Sequence, residues 1–109
     1  MEEAAERVAK CLGPGLSEYV YRNALSLELT KMGLRNQCER VFPIFYDDNW
    51  VGFVRTDIYL PDSNTVLELK AKATVCVSDH AQAQSYKTHI PGCSVIIINF
   101  GYSGLKVVK

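Results

Sequence analysis

Apolar and polar positions along this chain follow two rhythms, one helical and one alternating. EEAAERVAKCL (2–12) has helical spacing and is closed by GPG, whose glycines and proline cannot continue a helix. Ser17 is placed to cap a second helix, EYVYRNALSLELTKM, with Val20, Ala24 and Leu27 as its expected buried stripe and Gly33 as its stop. QCERVFPIFY alternates and reads as a strand, with Pro43 suggesting an edge or a bulge. DDNW is a turn, followed by a strand VGFVRTDIYL, the turn PDSN and a strand TVLELKAKA. SDHAQAQSYKTHI predicts a third helix stopped by PG, and GLKVVK a short last strand. Between them CSVIIINF is almost wholly apolar, as a strand buried on both faces must be. The predicted order is ααβββαββ. It makes an α/β fold with a mixed sheet: an antiparallel meander, a crossover helix, then a central strand.

Composition narrows the class without choosing a function. The 109 residues suit one domain, and 48% hydrophobic with 22% charged residues is ordinary for a soluble globule. The longest apolar run, SVIIINF, is strand-sized, so no membrane span is expected. The acidic start MEEAAERVAK has no apolar signal core, which points to an intracellular rather than a secreted protein. Cys11, Cys38, Cys76 and Cys93 form no CxxC and no zinc spacing with His80 or His89, and read as reduced, mostly core thiols. A formal net charge of zero argues against a nucleic-acid coat protein but allows a local basic groove.

The candidate chemistry lies in RTDIYLPDSNTVLELK (55–70). If PDSN is the turn, Leu60 pairs with Thr65, and Asp57 then stands opposite Glu68. Directly opposed like charges destabilise a sheet. Alternation sends Glu68 and Lys70 to one face and Leu67, Leu69 and Ala71 to the other. Two adjacent carboxylates beside a lysine suit Mg²⁺, whose charge offsets their repulsion while the ammonium stabilises charge developing on a phosphate. The bland alternative is a solvated sheet face on which Arg55 and Lys70 dilute two acids.

LGPGLSEYVYRNAL carries Gly15, Glu18 and Tyr21 as G-x-x-E-x-x-Y, and it is followed in order by VGFVRTDIYL, VLELKAKA, AQAQSY and IIINFG. Across residues 10 to 101 this series resembles the GxxExxY family, a small branch of the PD-(D/E)XK nuclease superfamily. The resemblance implies a small mixed sheet flanked by helices. It also implies roles: Asp57 as the acid of the first strand motif, Glu68 and Lys70 as the (D/E)-x-K element, and Glu18 as a helix glutamate serving metal or its waters. Gln82 and Tyr86 match Q-x-x-x-Y, and Tyr21, Gln82 and Tyr86 become accessory candidates. Thr56 stands where relatives have proline, the hairpin is one residue longer than the pattern, and His80 is displaced by one position. Bland readings sit beside these roles. Glu18 could favour a helix dipole and pair with Arg22, Asp79 and Gln82 could form a capping box, and both tyrosines could be core aromatics.

The implied activity is hydrolysis of DNA phosphodiesters. Mg²⁺ or Mn²⁺ would be held by Asp57, Glu68 and the main-chain carbonyl of Leu69, with Glu18 acting through water and Lys70 helping to activate the attacking water. Arg55, Lys72 and Lys87 would contact flanking phosphates. A homodimer is expected, because so small a nuclease core has little surface for a duplex. Two other readings keep the fold: a catalytically silent DNA-binding or assembly module, and a structural subunit, which a patch at Trp50, Phe53 and Tyr59 would favour.

Overall fold

The computed structural model describes residues 1–109. Helix α1 spans Glu2–Leu12, with Glu2 and Glu3 in its first turn and Lys10 in its last, matching the helix dipole. It buries Ala4, Ala5 and Val8 and ends at Gly13, whose φ of 71° lies in the left-handed region. Helix α2 spans Glu18–Lys31; Ser17 holds the N-cap position, but its side chain makes no capping bond. The stripe that α2 buries is Tyr21, Leu25 and Leu29, not the expected Val20, Ala24 and Leu27. Val20 and Leu27 are exposed. Both stripes are apolar, and the choice falls to the one carrying the aromatic that stacks on the sheet.

Two segments expected as single strands are each broken. QCERVFPIFY divides into β1 (Gln37–Cys38) and β2 (Val41–Tyr46) around Glu39, which has φ 57°. VGFVRTDIYL divides into β3 (Asn49–Arg55) and β4 (Ile58–Leu60). The second break is held by fully buried Thr56, whose amide and hydroxyl both donate to the Arg40 carbonyl at 2.9 Å. A proline here could supply neither bond. The chain continues as β5 (Thr65–Lys70), α3 (Val77–His89), β6 (Ser94–Gly101) and β7 (Gly104–Val108).

Five strands form one sheet in the order β1-β4-β5-β6-β7, while β2 and β3 pair as a separate ribbon. The register of β4 with β5 is the one the PDSN turn predicts: Leu60 opposite Thr65, Tyr59 opposite Val66, Ile58 opposite Leu67. β5 and β6 pair in parallel through the α3 crossover, so the sheet is mixed and β6 is internal, as expected. On one face, Leu67, Leu69, Ile98 and Phe100 pack with α1 and α2. On the other, Val66 and Val95 pack with Tyr86 of α3, with Ile90 just beyond it, and with Phe42 and Val54 of the ribbon. The expectation of core thiols fails: Cys11, Cys38 and Cys76 are exposed, and only Cys93 is half-buried. No helix is long and apolar enough to cross a membrane.

Tyr21 has a structural task. Its ring stacks on Phe100 with centroids 4.6 Å apart and planes within 2°. Its hydroxyl donates to Gly13 O at 2.6 Å and accepts from Leu16 N at 3.2 Å, fastening the Gly-Pro-Gly loop to the sheet. Gly15 takes φ 100° in that loop, and a Cβ there would lie 3.2 Å from the Tyr102 hydroxyl. Gly15 and Tyr21 of the G-x-x-E-x-x-Y pattern therefore act together as a loop fastener. Tyr21→Phe, which leaves two backbone groups unpaired, should lower unfolding free energy by about 1–3 kcal/mol in urea titration. Any catalytic activity should persist at temperatures where the variant is folded.

Candidate functional site

The break before β4 and the pleat of β5 build the site. Leu67 and Leu69 are committed to the helical core, so Glu68 and Lys70 must face α3. Asp57, just before β4, reaches the same side, and its Oδ2 accepts the Leu69 amide at 2.7 Å. That bond fixes the Asp57 carboxyl against β5. Glu68 is 3% exposed, and its Oε2 is buried without a hydrogen-bond partner. Burial, and next the facing Asp57 carboxyl, push the Glu68 carboxyl up to about 8. Glu68 therefore keeps a proton through neutral pH when no cation replaces it.

Lys70 meets this pair from the solvent side. Its Nζ donates to Gln82 Oε1 at 2.9 Å and lies 3.7 Å from both Glu68 Oε1 and Asp79 Oδ1. Gln82 Nε2 in turn donates to the Tyr86 hydroxyl at 3.3 Å, which donates to the Arg55 carbonyl at 2.8 Å. A chain of polar groups thus runs from Lys70 across one face of α3 to the strand that leads into Asp57. Burial, and then the nearby Glu68, hold the Tyr86 hydroxyl well above the usual phenol range, so it acts as a neutral donor. The expected capping box of Asp79 with Gln82 is not formed. Asp79 caps α3 together with Cys76, taking the Cys76 amide at 2.9 Å, and Gln82 is left for Lys70 and Tyr86.

Asp79 escaped the sequence reading as a site residue, because it looked like a cap and nothing more. It is buried and also accepts Lys72 Nζ at 2.8 Å. Hydrogen bonds from Lys72 and the Cys76 amide hold its carboxyl well below the usual carboxylate range. Asn99 was also missed, since it sits inside a run of isoleucines. Its Oδ1 accepts Lys72 N at 3.0 Å and its Nδ2 donates to Lys72 O at 2.9 Å, clamping the chain beyond β5. Gly101 allows this approach: a Cβ there would come 2.3 Å from the Lys72 carbonyl.

Other expected residues stand apart. Glu18 opens α2, is exposed, and has no ion pair or hydrogen bond to Asp57, Glu68 or Lys70. Nor does it pair with Arg22, which binds Glu39 at 2.7 Å. No three His, Cys, Asp or Glu side chains converge anywhere in the molecule. Of the three expected phosphate-binding cations, Lys72 is engaged by Asp79, Lys87 is exposed on α3, and Arg55 is exposed on the ribbon. None of the surface hollows is lined by Asp57, Glu68 or Lys70.

An acid entering a sheet, an acid and a lysine two residues apart on the neighbouring strand, and a following helix are the strand elements of one nuclease class. The sequence model of the PD-(D/E)XK nuclease superfamily matches residues 1–108. The chain belongs to that superfamily. No curated protein and no solved structure matches it. In superfamily terms the mixed sheet and three helices are the expected fold.

The buried carboxyl has a measurable signature. A carboxyl whose folded pKa is raised contributes stability in full below its unfolded value near 4.5, and loses it as pH climbs toward about 8. Asp79 acts in the opposite sense, losing its contribution only in acid. Metal-free protein in chelator should therefore unfold at lower denaturant at pH 8 than at pH 5. Glu68→Gln should flatten this dependence and be the more stable protein at pH 8. A wild-type midpoint that does not fall over this range would mean that Glu68 ionises normally.

Proposed function

We propose that this protein is a metal-dependent deoxyribonuclease of the GxxExxY branch, hydrolysing DNA phosphodiesters. The observation that carries the reading is the buried Glu68 Oε2, without a partner, beside the Asp57 carboxyl and the Lys70 ammonium. An apolar sheet would not retain such an arrangement for stability, since an uncompensated buried carboxyl is costly. Hard oxygens in this setting fit Mg²⁺ or Mn²⁺, and Mg²⁺ characteristically takes one or two carboxylates and keeps several waters. Asp57, Glu68 and the Leu69 carbonyl would hold the ion, which when bound supplies charge that polarises the phosphodiester and acidifies water.

The chain's own groups supply the rest. Glu68 would hold a cation only as the carboxylate, so its proton would have to leave first. Lys70, held by Gln82, offers N–H donors to the attacking water and to the phosphoryl oxygens as their charge grows. Tyr86 and Gln82 keep that ammonium aimed, and so act as positioning residues. Glu18, exposed at the start of α2, would serve through an intervening water. Lys87 is free of ion pairs and suited to a flanking phosphate, while Lys72 would first have to leave Asp79. Arg55, on the exposed side of the ribbon, is less suited to that role. A homodimer would extend the surface available to a duplex.

One observation favours a non-enzymatic reading, the structural subunit: Trp50 and Phe53 are 65% and 51% exposed, although Tyr59, expected in the same patch, is buried. Substitution separates the two readings. Asp57→Asn should lower Mg²⁺- or Mn²⁺-dependent cleavage by about two orders of magnitude or more while leaving circular dichroism unchanged. Lys70→Ala should also stop cleavage but spare cation binding measured by calorimetry, because an ammonium is not a ligand. Absence of metal-dependent cleavage by the wild type on duplex, branched and single-stranded DNA would sink the nuclease and leave the non-enzymatic reading.

A further inference from the structure

The β2–β3 ribbon is built inside out for a solvated hairpin. Its pairing sets Phe42 opposite Val54 and Ile44 opposite Gly52, and these half-buried residues turn inward, Phe42 and Val54 packing on the α3 side of the sheet. The opposite face, which a solvated ribbon would make polar, carries Val41, Pro43, Phe45 and Phe53 instead. The register slips between Ile44 and Phe45, so that Phe45 faces Trp50 and Val51 is the extra residue. That bulge brings Trp50 and Val51 to the outer face as well. Phe45, Trp50, Val51 and Phe53 are all at least half exposed.

We infer that this outer face is the interface of a twofold dimer, in which the ribbons of two copies stack face to face and antiparallel. Three observations select a second copy as the occupant. The first is charge. The ribbon's tip carries Asp47 and Asp48 and its base carries Arg55, and none of the three is in an ion pair. A twofold axis through the middle of the face lays each acidic tip against the partner's basic end. The second is area. Three aromatics exposed by half to two thirds, with their aliphatic neighbours, offer on the order of 500 Å² per copy. Two copies together then reach the roughly 1,000 Å² that a specific interface requires. The third is sign. A nucleic-acid surface needs cations flanking its aromatics, whereas here a single arginine stands at one end of the face and two aspartates, whose charge repels phosphate, at the other.

The dimer does not rest on the nuclease reading, since no residue of the Asp57–Glu68 pair belongs to it. The chain has one tryptophan, so Trp50 reports on this face directly. Sedimentation equilibrium at micromolar concentrations should give twice the 12.2 kDa chain mass, and Trp50 emission should shift to the blue as concentration rises. Phe53→Lys should be monomeric with an unchanged circular dichroism spectrum. Arg55→Glu, and separately the pair Asp47→Lys with Asp48→Lys, should each weaken association by about tenfold or more. Mixing those two charge-reversed proteins should restore it as a heterodimer, which a merely destabilised fold could not do. A wild type that stays monomeric throughout the micromolar range overturns the inference, as does a Phe53→Lys protein that still dimerises. A monomer whose Trp50 emission is quenched by DNA would assign the face to nucleic acid instead.

Discussion

The pleat of β5 is the constraint from which the rest of the molecule follows. This strand pairs in parallel with β6 along its whole length and antiparallel with β4 over Thr65–Leu67, and beyond that the Asp57 side chain takes the Leu69 amide, so its pleat is fixed. Leu67 and Leu69 are completely buried against α1 and α2, which forces the intervening Glu68 and the following Lys70 to the opposite face. That face is not solvent, because α3 crosses it on the way from β5 to β6. The carboxyl is therefore desolvated by the same crossover that makes the sheet possible. A slip of one residue would bury the carboxylate among leucines, and a shorter crossover would leave it in water with an ordinary pKa.

The site is held tense by unequal satisfaction of its charges. Asp57 has the Leu69 amide, Lys70 has Gln82, and Asp79 has Lys72 and the Cys76 amide. Glu68 alone has an oxygen without a partner. Lys70 is close enough to Glu68 to lower its charging cost but lies at the same 3.7 Å from Asp79, so it gives Glu68 no close ion pair. Burial consequently dominates the Glu68 carboxyl, and its rise is a measure of how poorly the fold alone compensates it. A buried carboxyl so poorly compensated marks a candidate site rather than a stabilising ion pair.

Much of this was legible in the chain because the deciding forces were local or periodic. The PDSN turn set the β4–β5 register, and with it the encounter of Asp57 and Glu68. CSVIIINF could be nothing but an internal strand. The misreadings share one cause, that apolar periodicity does not say which partner an apolar face meets. On α2 the stripes through Val20 and through Tyr21 are equally hydrophobic, and the choice was made by stacking on Phe100, distant in sequence. Both broken strands look continuous, since the breaks at Glu39 and Thr56 arise from bonds to residues on the other segment. Asn99 is similarly opaque: amid isoleucines it reads as an interruption, yet it is the clamp on Lys72.

The break at Thr56 has consequences in two directions, and they explain why one short peptide couples the ribbon to the carboxyl pair. Upstream, it detaches β3 from the main sheet, so the ribbon departs with its own pairing and an apolar face uncovered. Downstream, it ends regular pairing just before Asp57, freeing that side chain to reach the Leu69 amide across β5. The Arg55 carbonyl, turned out of the ribbon at this point, takes the Tyr86 hydroxyl and ties α3 to the same junction. An uninterrupted strand from Val51 to Leu60 would lose all three features together. The two donors of Thr56 to a single carbonyl are what keep the interruption in place, a task for which proline has neither the amide N–H nor a hydroxyl.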